Sequence, residues 1–134
     1  MKTKPALAFL MPIILSGLLA CSPGAPEELS VDITSSGKEV ALDAGGTLTI
    51  TLDSNPTTGY SWNENADISD KTIAQQTGHK YQPPASSALG AGCKEILTFK
   101  ALKSCISTIS MGYRRPFEKG IAPAKTFTLS LVVK

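Results

Sequence analysis

The chain has 134 residues, and its 13 Lys+Arg nearly balance 11 Asp+Glu, for a formal charge of +2. That is room for one ordinary domain and a short leader, with no basic face of the kind nucleic acid requires. A single histidine, His79, leaves no evident zinc set, and 42% apolar against 18% charged residues marks a globular chain with no expected metal or cofactor.

Residues 1–20 form the first segment. Lys2 and Lys4 supply a positive start, Ala6 to Leu15 is an apolar run broken only by Pro12, and Ser16, Gly17 and Ala20 are small. This is the layout of a secretory signal, too short and interrupted to span a bilayer comfortably. Its end, Leu18-Leu19-Ala20-Cys21, resembles a bacterial lipobox. The resemblance implies an exported, membrane-anchored lipoprotein whose first mature residue is an acylated Cys21. An ordinary signal cleaved near Cys21 is the alternative. Loss of Lys2 and Lys4 with the leader brings the side-chain balance to zero. Residues 21–28, with Pro23, Gly24 and Pro26, then read as a flexible tether, and 29–134 as the domain, expected as a monomer.

From Leu29 onward the period is two. Leu29, Val31 and Ile33 alternate with polar residues, as do Leu48, Ile50 and Leu52 and, near the end, Phe127, Leu129, Leu131 and Val133. One face of each strand is thus apolar and the other rich in Thr, the pattern of an antiparallel sheet half exposed to water. Further strands are predicted over 38–42, 59–63, 72–81, 94–101 and 105–113. Ile73-Ala74-Gln75-Gln76 also reads as a helical turn. Ser36-Gly37, Ala44-Gly45-Gly46, Asn55-Pro56, Pro83-Pro84 and Gly90-Ala91-Gly92 punctuate the series. Seven to eight short strands in one unit predict an all-β, immunoglobulin-like antiparallel β-sandwich.

Three connections are longer or chemically distinctive. Asn55-Pro56-Thr57-Thr58-Gly59-Tyr60 joins a turn initiator, a φ-locked proline and a glycine, which makes a stiff projection tipped by two hydroxyl residues. Tyr60 and Trp62 should share one face as the chain re-enters the sandwich. The stretch from Tyr81 to Cys93 is uncharged and ends in Gly90-Ala91-Gly92, where backbone can approach a partner closely. Arg114-Arg115-Pro116-Phe117-Glu118-Lys119-Gly120-Ile121-Ala122-Pro123 presents a proline-stiffened aromatic flanked by charge. A plain turn, a flexible excursion and a surface loop are the competing readings of the three.

Taken in order, Asn55 to Tyr60, Gly90-Ala91-Gly92 and Arg115-Pro116-Phe117 resemble the three-motif signature of the chagasin family, β-sandwich inhibitors of papain-like cysteine proteases. The second motif departs from Gly-x-Gly-Gly by ending in Cys93, and the third carries Phe117 where Trp is common. The resemblance implies a competitive inhibitor, not an enzyme. Asn55, Pro56, Thr57, Thr58, Gly59 and Tyr60 would enter the protease cleft. Gly90, Ala91, Gly92 and Cys93 would run beside the non-primed subsites. Arg115 and Pro116 would carry Phe117 to the opposite side. Losses at Thr58 and Phe117 should then be nearly additive. A surface adhesion or binding module on the same sandwich is the other functional reading, since fold alone does not separate the two.

Cys93 and Cys105 remain after Cys21. An eight-residue strand between them spans ~26 Å, whereas a bridge needs Cα atoms within ~7 Å. Two free thiols are expected, with Cys93, on its loop, the more reactive.

Overall fold

The computed structural model describes residues 27–84 and 92–134. The leader, Cys21 and the tether up to Pro26 lie outside the described residues.

Alternation becomes two sheets packed on one core. The strands are β1 (Glu28–Val31), β2 (Glu39–Leu42), β3 (Thr47–Ser54), β4 (Ser61–Trp62), β5 (Asp67–Ile68), β6 (Ala74–Gln82), β7 (Cys93–Ala101), β8 (Cys105–Arg114) and β9 (Lys125–Val133). One sheet runs in the order β1-β3-β7-β6. The other runs β2-β9-β8-β4, with β5 also paired to β8. Leu48, Ile50 and Leu52 of β3 and Leu97 and Phe99 of β7 are buried, and they share a core with Ile109 and Met111 of β8 and Phe127, Leu129 and Leu131 of β9. The Thr residues that separate these apolar positions on β3 and β9 lie on the outer faces, as a period of two requires.

The sandwich is as expected; two of its edges are not antiparallel. β1 pairs with β3 and β2 with β9 in parallel. Between β1 and β2 the chain changes sheets through a 3-10 turn at Ile33–Ser35, in which Asp32 accepts the Thr34 N–H at 2.9 Å. Alternation reports which face is buried, and it carries no information on the direction of a partner. The same crossing takes Ile33 out of the strand and leaves it exposed. The predicted strand over 59–63 shortens to β4 at Ser61–Trp62, and β5 at Asp67–Ile68 lies in a stretch with no predicted strand, so the described residues hold nine strands. Residues 74–76 are strand, not helical turn, and the β6–β7 register shifts between Gln76 and Gly78.

Cys93 pairs with Ser54 at one end of the sandwich, and Cys105 pairs with Val133 at the other. Both thiols are free, but the predicted order of reactivity reverses, because Cys93 is buried and Cys105 exposed. Cys93 is the first residue of β7 and lies on its inward face. A thiol reagent is therefore expected to label Cys105 in the native protein and Cys93 only after unfolding, read by mass spectrometry of each peptide. Native labelling of Cys93 ahead of Cys105 would contradict this burial.

Candidate functional site

The register gathers the three motifs at one pole. Ser54 faces Cys93, Ser61 faces Arg114, Gln82 faces Lys94 and Tyr113 faces Lys125, so the connections after β3, β6 and β8 all leave from that end. Gly90 and Ala91 lie outside the described residues. Gly92 is exposed, with no atom of the described residues within 4 Å of where its Cβ would stand, whereas Cys93, buried, turns its side chain inward.

The first loop holds itself. Asn55 accepts the Thr57 N–H at 3.3 Å and the Thr57 hydroxyl at 2.5 Å through its Oδ1. The Thr58 hydroxyl donates to the Asn55 carbonyl at 2.6 Å. Both threonine hydroxyls at the tip thus donate within the turn itself. Pro56–Thr58 forms a single 3-10 turn, closed by the Gly59 N–H on the Pro56 carbonyl at 2.9 Å. Gly59 ends it with φ of +81°, a left-handed conformation that side chains disfavour.

An aromatic cluster carries this turn. The Tyr113 hydroxyl accepts the Asn55 N–H at 2.9 Å, and its ring stacks on Tyr60 at 5.4 Å and meets Trp62 at 5.1 Å. Tyr60 and Trp62 do share a face, and Tyr113 is what they share it with. The Trp62 indole donates back to the Asp53 carbonyl at 2.9 Å, joining the strand that enters the loop to the one that leaves it.

The third loop is bound to the first. Arg115 donates through Nε to the Thr58 carbonyl at 3.1 Å and through Nη1 to Glu118 at 3.0 Å, with its guanidinium 4.5 Å above the Tyr60 ring. Phe117 stays 71% exposed. Its ring edge nevertheless lies against the first loop, since a Cβ placed on Gly59 would stand 3.2 Å from Phe117 Cε1. The two loops therefore form one surface rather than two separate contacts. That removes the ground for additive losses at Thr58 and Phe117.

Two residues of this end were not singled out from the sequence: Tyr113 and Glu95. Ile121 is 56% exposed on the same loop as Phe117. Glu95 did leave a signal, a charge at a core parity within the inward series Cys93, Glu95, Leu97, Phe99. Tyr81 pairs with Glu95 across the sheet. Partial loss of water around its hydroxyl, then a hydrogen bond to Cys93 and the charges of Cys93 and Glu95, push its phenol up to about 12 from 10.0, although the residue stays exposed. The folded state holds this proton more tightly than the unfolded chain, so rising pH favours unfolding between those two values. Stability measured by urea melts is expected to fall between about pH 10 and about pH 12, and to fall less in Tyr81→Phe.

Among the described residues no cluster of His, Cys, Asp and Glu is placed to hold a metal ion, and no helix is long and apolar enough to cross a membrane. Residues 41–131 match the family model described as chagasin family peptidase inhibitor I42. Amoebiasin-2 of Entamoeba histolytica is 36% identical over 85 residues, which cover 63% of this chain and 68% of that protein. Chagasin of Trypanosoma cruzi is 30% identical over 101 residues, covering 71% of this chain and 88% of its own. Among solved structures, a cysteine protease inhibitor from Entamoeba histolytica superposes with a TM-score of 0.69 at 23% identity, over 83% of this chain and 99% of its own, a likeness of fold. The match over 41–131 contains all three motif loops, and with it the chain belongs to the chagasin family of peptidase inhibitors.

Proposed function

We propose that this protein inhibits papain-like cysteine proteases by filling the active-site cleft with the pole formed by its three motif loops. The observation that carries the reading is the self-bonded turn at Asn55–Gly59, braced by Tyr113 and Arg115. A loop already fixed in its bound shape spends little free energy on ordering when it binds. Thr57 and Thr58 form the tip of the wedge, Phe117 supplies an aromatic anchor beside it, and the backbone around Gly90, Ala91 and Gly92 pairs with the enzyme on the other side. No side chain of the wedge acts chemically; the wedge occludes. The test is inhibition of papain and of a cathepsin-L-type protease by the chain from residue 22 onward. Competitive inhibition with no cleavage within 55–60 is expected, and absence of inhibition of both enzymes would overturn the reading.

The second part of the proposal is the anchor. Acyl chains on Cys21 would hold the domain at a membrane surface in a bacterium, with export implied by the leader. The point of entry supports this: Glu28 pairs with Thr47, at the far end of β3 from Asn55. An eight-residue strand separates those poles by about 25 Å. A tether leaving from Glu27 therefore keeps the inhibitory pole turned away from the surface that holds it. Mass spectrometry of the native N-terminus should show an acylated Cys21, and Cys21→Ser should release the protein from membranes. An unmodified N-terminus at another residue would overturn the anchor and leave the inhibitor untouched.

A further inference from the structure

Glu95 is a carboxylate in the wrong place for stability. It is 1% exposed, on the inward face of β7 between Cys93 and Leu97. Burying a charge carries a desolvation cost that its partners only offset, and an apolar residue of similar volume often serves stability as well or better. What an apolar residue does not supply is direction.

Both carboxylate oxygens are used, and on different strands. Oε2 accepts the Trp62 N–H at 3.0 Å. Oε1 lies 2.9 Å from Nε2 of His79, whose side chain is 22% exposed. Trp62 is in β4, on the opposite sheet, two residues beyond Tyr60 where the first loop ends. His79 is in β6, three residues before that strand ends and the second loop begins, and Glu95 stands two residues after Cys93 where β7 leaves that loop. One side chain thus joins both strands flanking the second loop to the strand leaving the first, across the gap between sheets. Apolar packing between the sheets is non-directional, whereas these hydrogen bonds fix distance and angle.

We propose that Glu95, with His79, is a positioning residue that sets the first and second inhibitory loops relative to each other. The proposal rests on the inhibitor reading above. The two fail separately: a wild-type chain that inhibits no papain-like protease ends that reading, while the present one is judged on variants of an active chain.

The experiment compares full-length wild type, Glu95→Leu, Glu95→Gln and His79→Leu. Inhibition constants are measured well below each melting midpoint, where circular dichroism shows a fully folded population. Glu95→Leu is expected to weaken inhibition about tenfold and His79→Leu about threefold, while Glu95→Gln, which still accepts from Trp62 and bonds His79, stays within about twofold. Emission of Trp62, the single tryptophan, should move to longer wavelength in Glu95→Leu and not in Glu95→Gln. A merely structural role would lower the melting midpoint and leave the potency of the folded protein unchanged. Folded Glu95→Leu with wild-type potency would overturn the proposal. Should that variant not fold, wild-type potency in folded His79→Leu would overturn it equally.

Discussion

Gly59→Val is expected to weaken inhibition of a papain-like protease at least a hundredfold while the sandwich remains folded. Two independent costs meet at this residue. The backbone there has φ of +81°, a region that a β-branched residue occupies only under strain of ~1–3 kcal/mol. The new side chain also crowds the third loop, since its Cβ would stand 3.2 Å from Phe117 Cε1, 3.4 Å from Phe117 Cζ and 3.7 Å from Arg115 Cγ, and the Phe117 ring must shift to admit it. Either the turn opens and Thr57 and Thr58 lose their placement, or the third loop is pushed off the first. Both outcomes distort the inhibitory surface, and a hundredfold loss corresponds to about 2.7 kcal/mol. The core is untouched, because no residue of the 3-10 turn is buried. Gly59→Ala, unbranched, should fall between wild type and Gly59→Val. Inhibition constants with thermal melts on the same samples decide the matter. A folded Gly59→Val that inhibits like wild type would mean that this loop is an ordinary turn.

That the costs coincide at Gly59 was half legible in the sequence. Asn-Pro-x-x-Gly announces a turn whose glycine has a backbone role, because a proline fixes one dihedral and a glycine frees another. What stands over that glycine depends on Phe117, 58 positions later, and no local rule supplies it. The strands show the same division. Leu48, Ile50 and Leu52 name their own buried face, and the sequence placed β3, β7, β8 and β9 close to where they are. Partner direction comes from how the chain crosses between sheets, so the parallel edges at β1 and β2 were not visible. The threonines show a related limit: that both Thr57 and Thr58 hydroxyls bond back to Asn55 is not written in the hydroxyl residues themselves. Cys93 was placed on a loop because glycines precede it, but its parity with Glu95 and Leu97 already put it on the inward face. The polar residues that brace the site, Tyr113, Arg115 and Glu95, act through pairings remote in sequence. An isolated polar residue does not reveal its partner.

Phe117→Ala is expected to cost binding about 2–3 kcal/mol, the scale of an aromatic anchor at the centre of an interface, with little change in thermal stability. The ring is 71% exposed and absent from the core cluster, so the free protein loses almost nothing by its removal. Its loop is shaped elsewhere, by the Glu118 N–H on the Arg115 carbonyl at 3.1 Å and by Gly120 at φ of +78°. The loss should not be independent of the first loop. Arg115 holds the Thr58 carbonyl, and the Phe117 ring edge borders Gly59, so whatever loosens the turn also moves the platform beside the ring. Thr58→Ala removes the hydroxyl that closes the turn on the Asn55 carbonyl. A double-mutant cycle of Thr58→Ala with Phe117→Ala is accordingly expected to show a coupling of about 0.5–1 kcal/mol, outside the range for distant, independent sites. Repeating the cycle in an Arg115→Ala background should shrink that coupling, since the guanidinium is the bond between the loops. Strict additivity in the wild-type background would mean that the two loops meet the protease as separate bodies, and that their contact in the free protein has no consequence for binding.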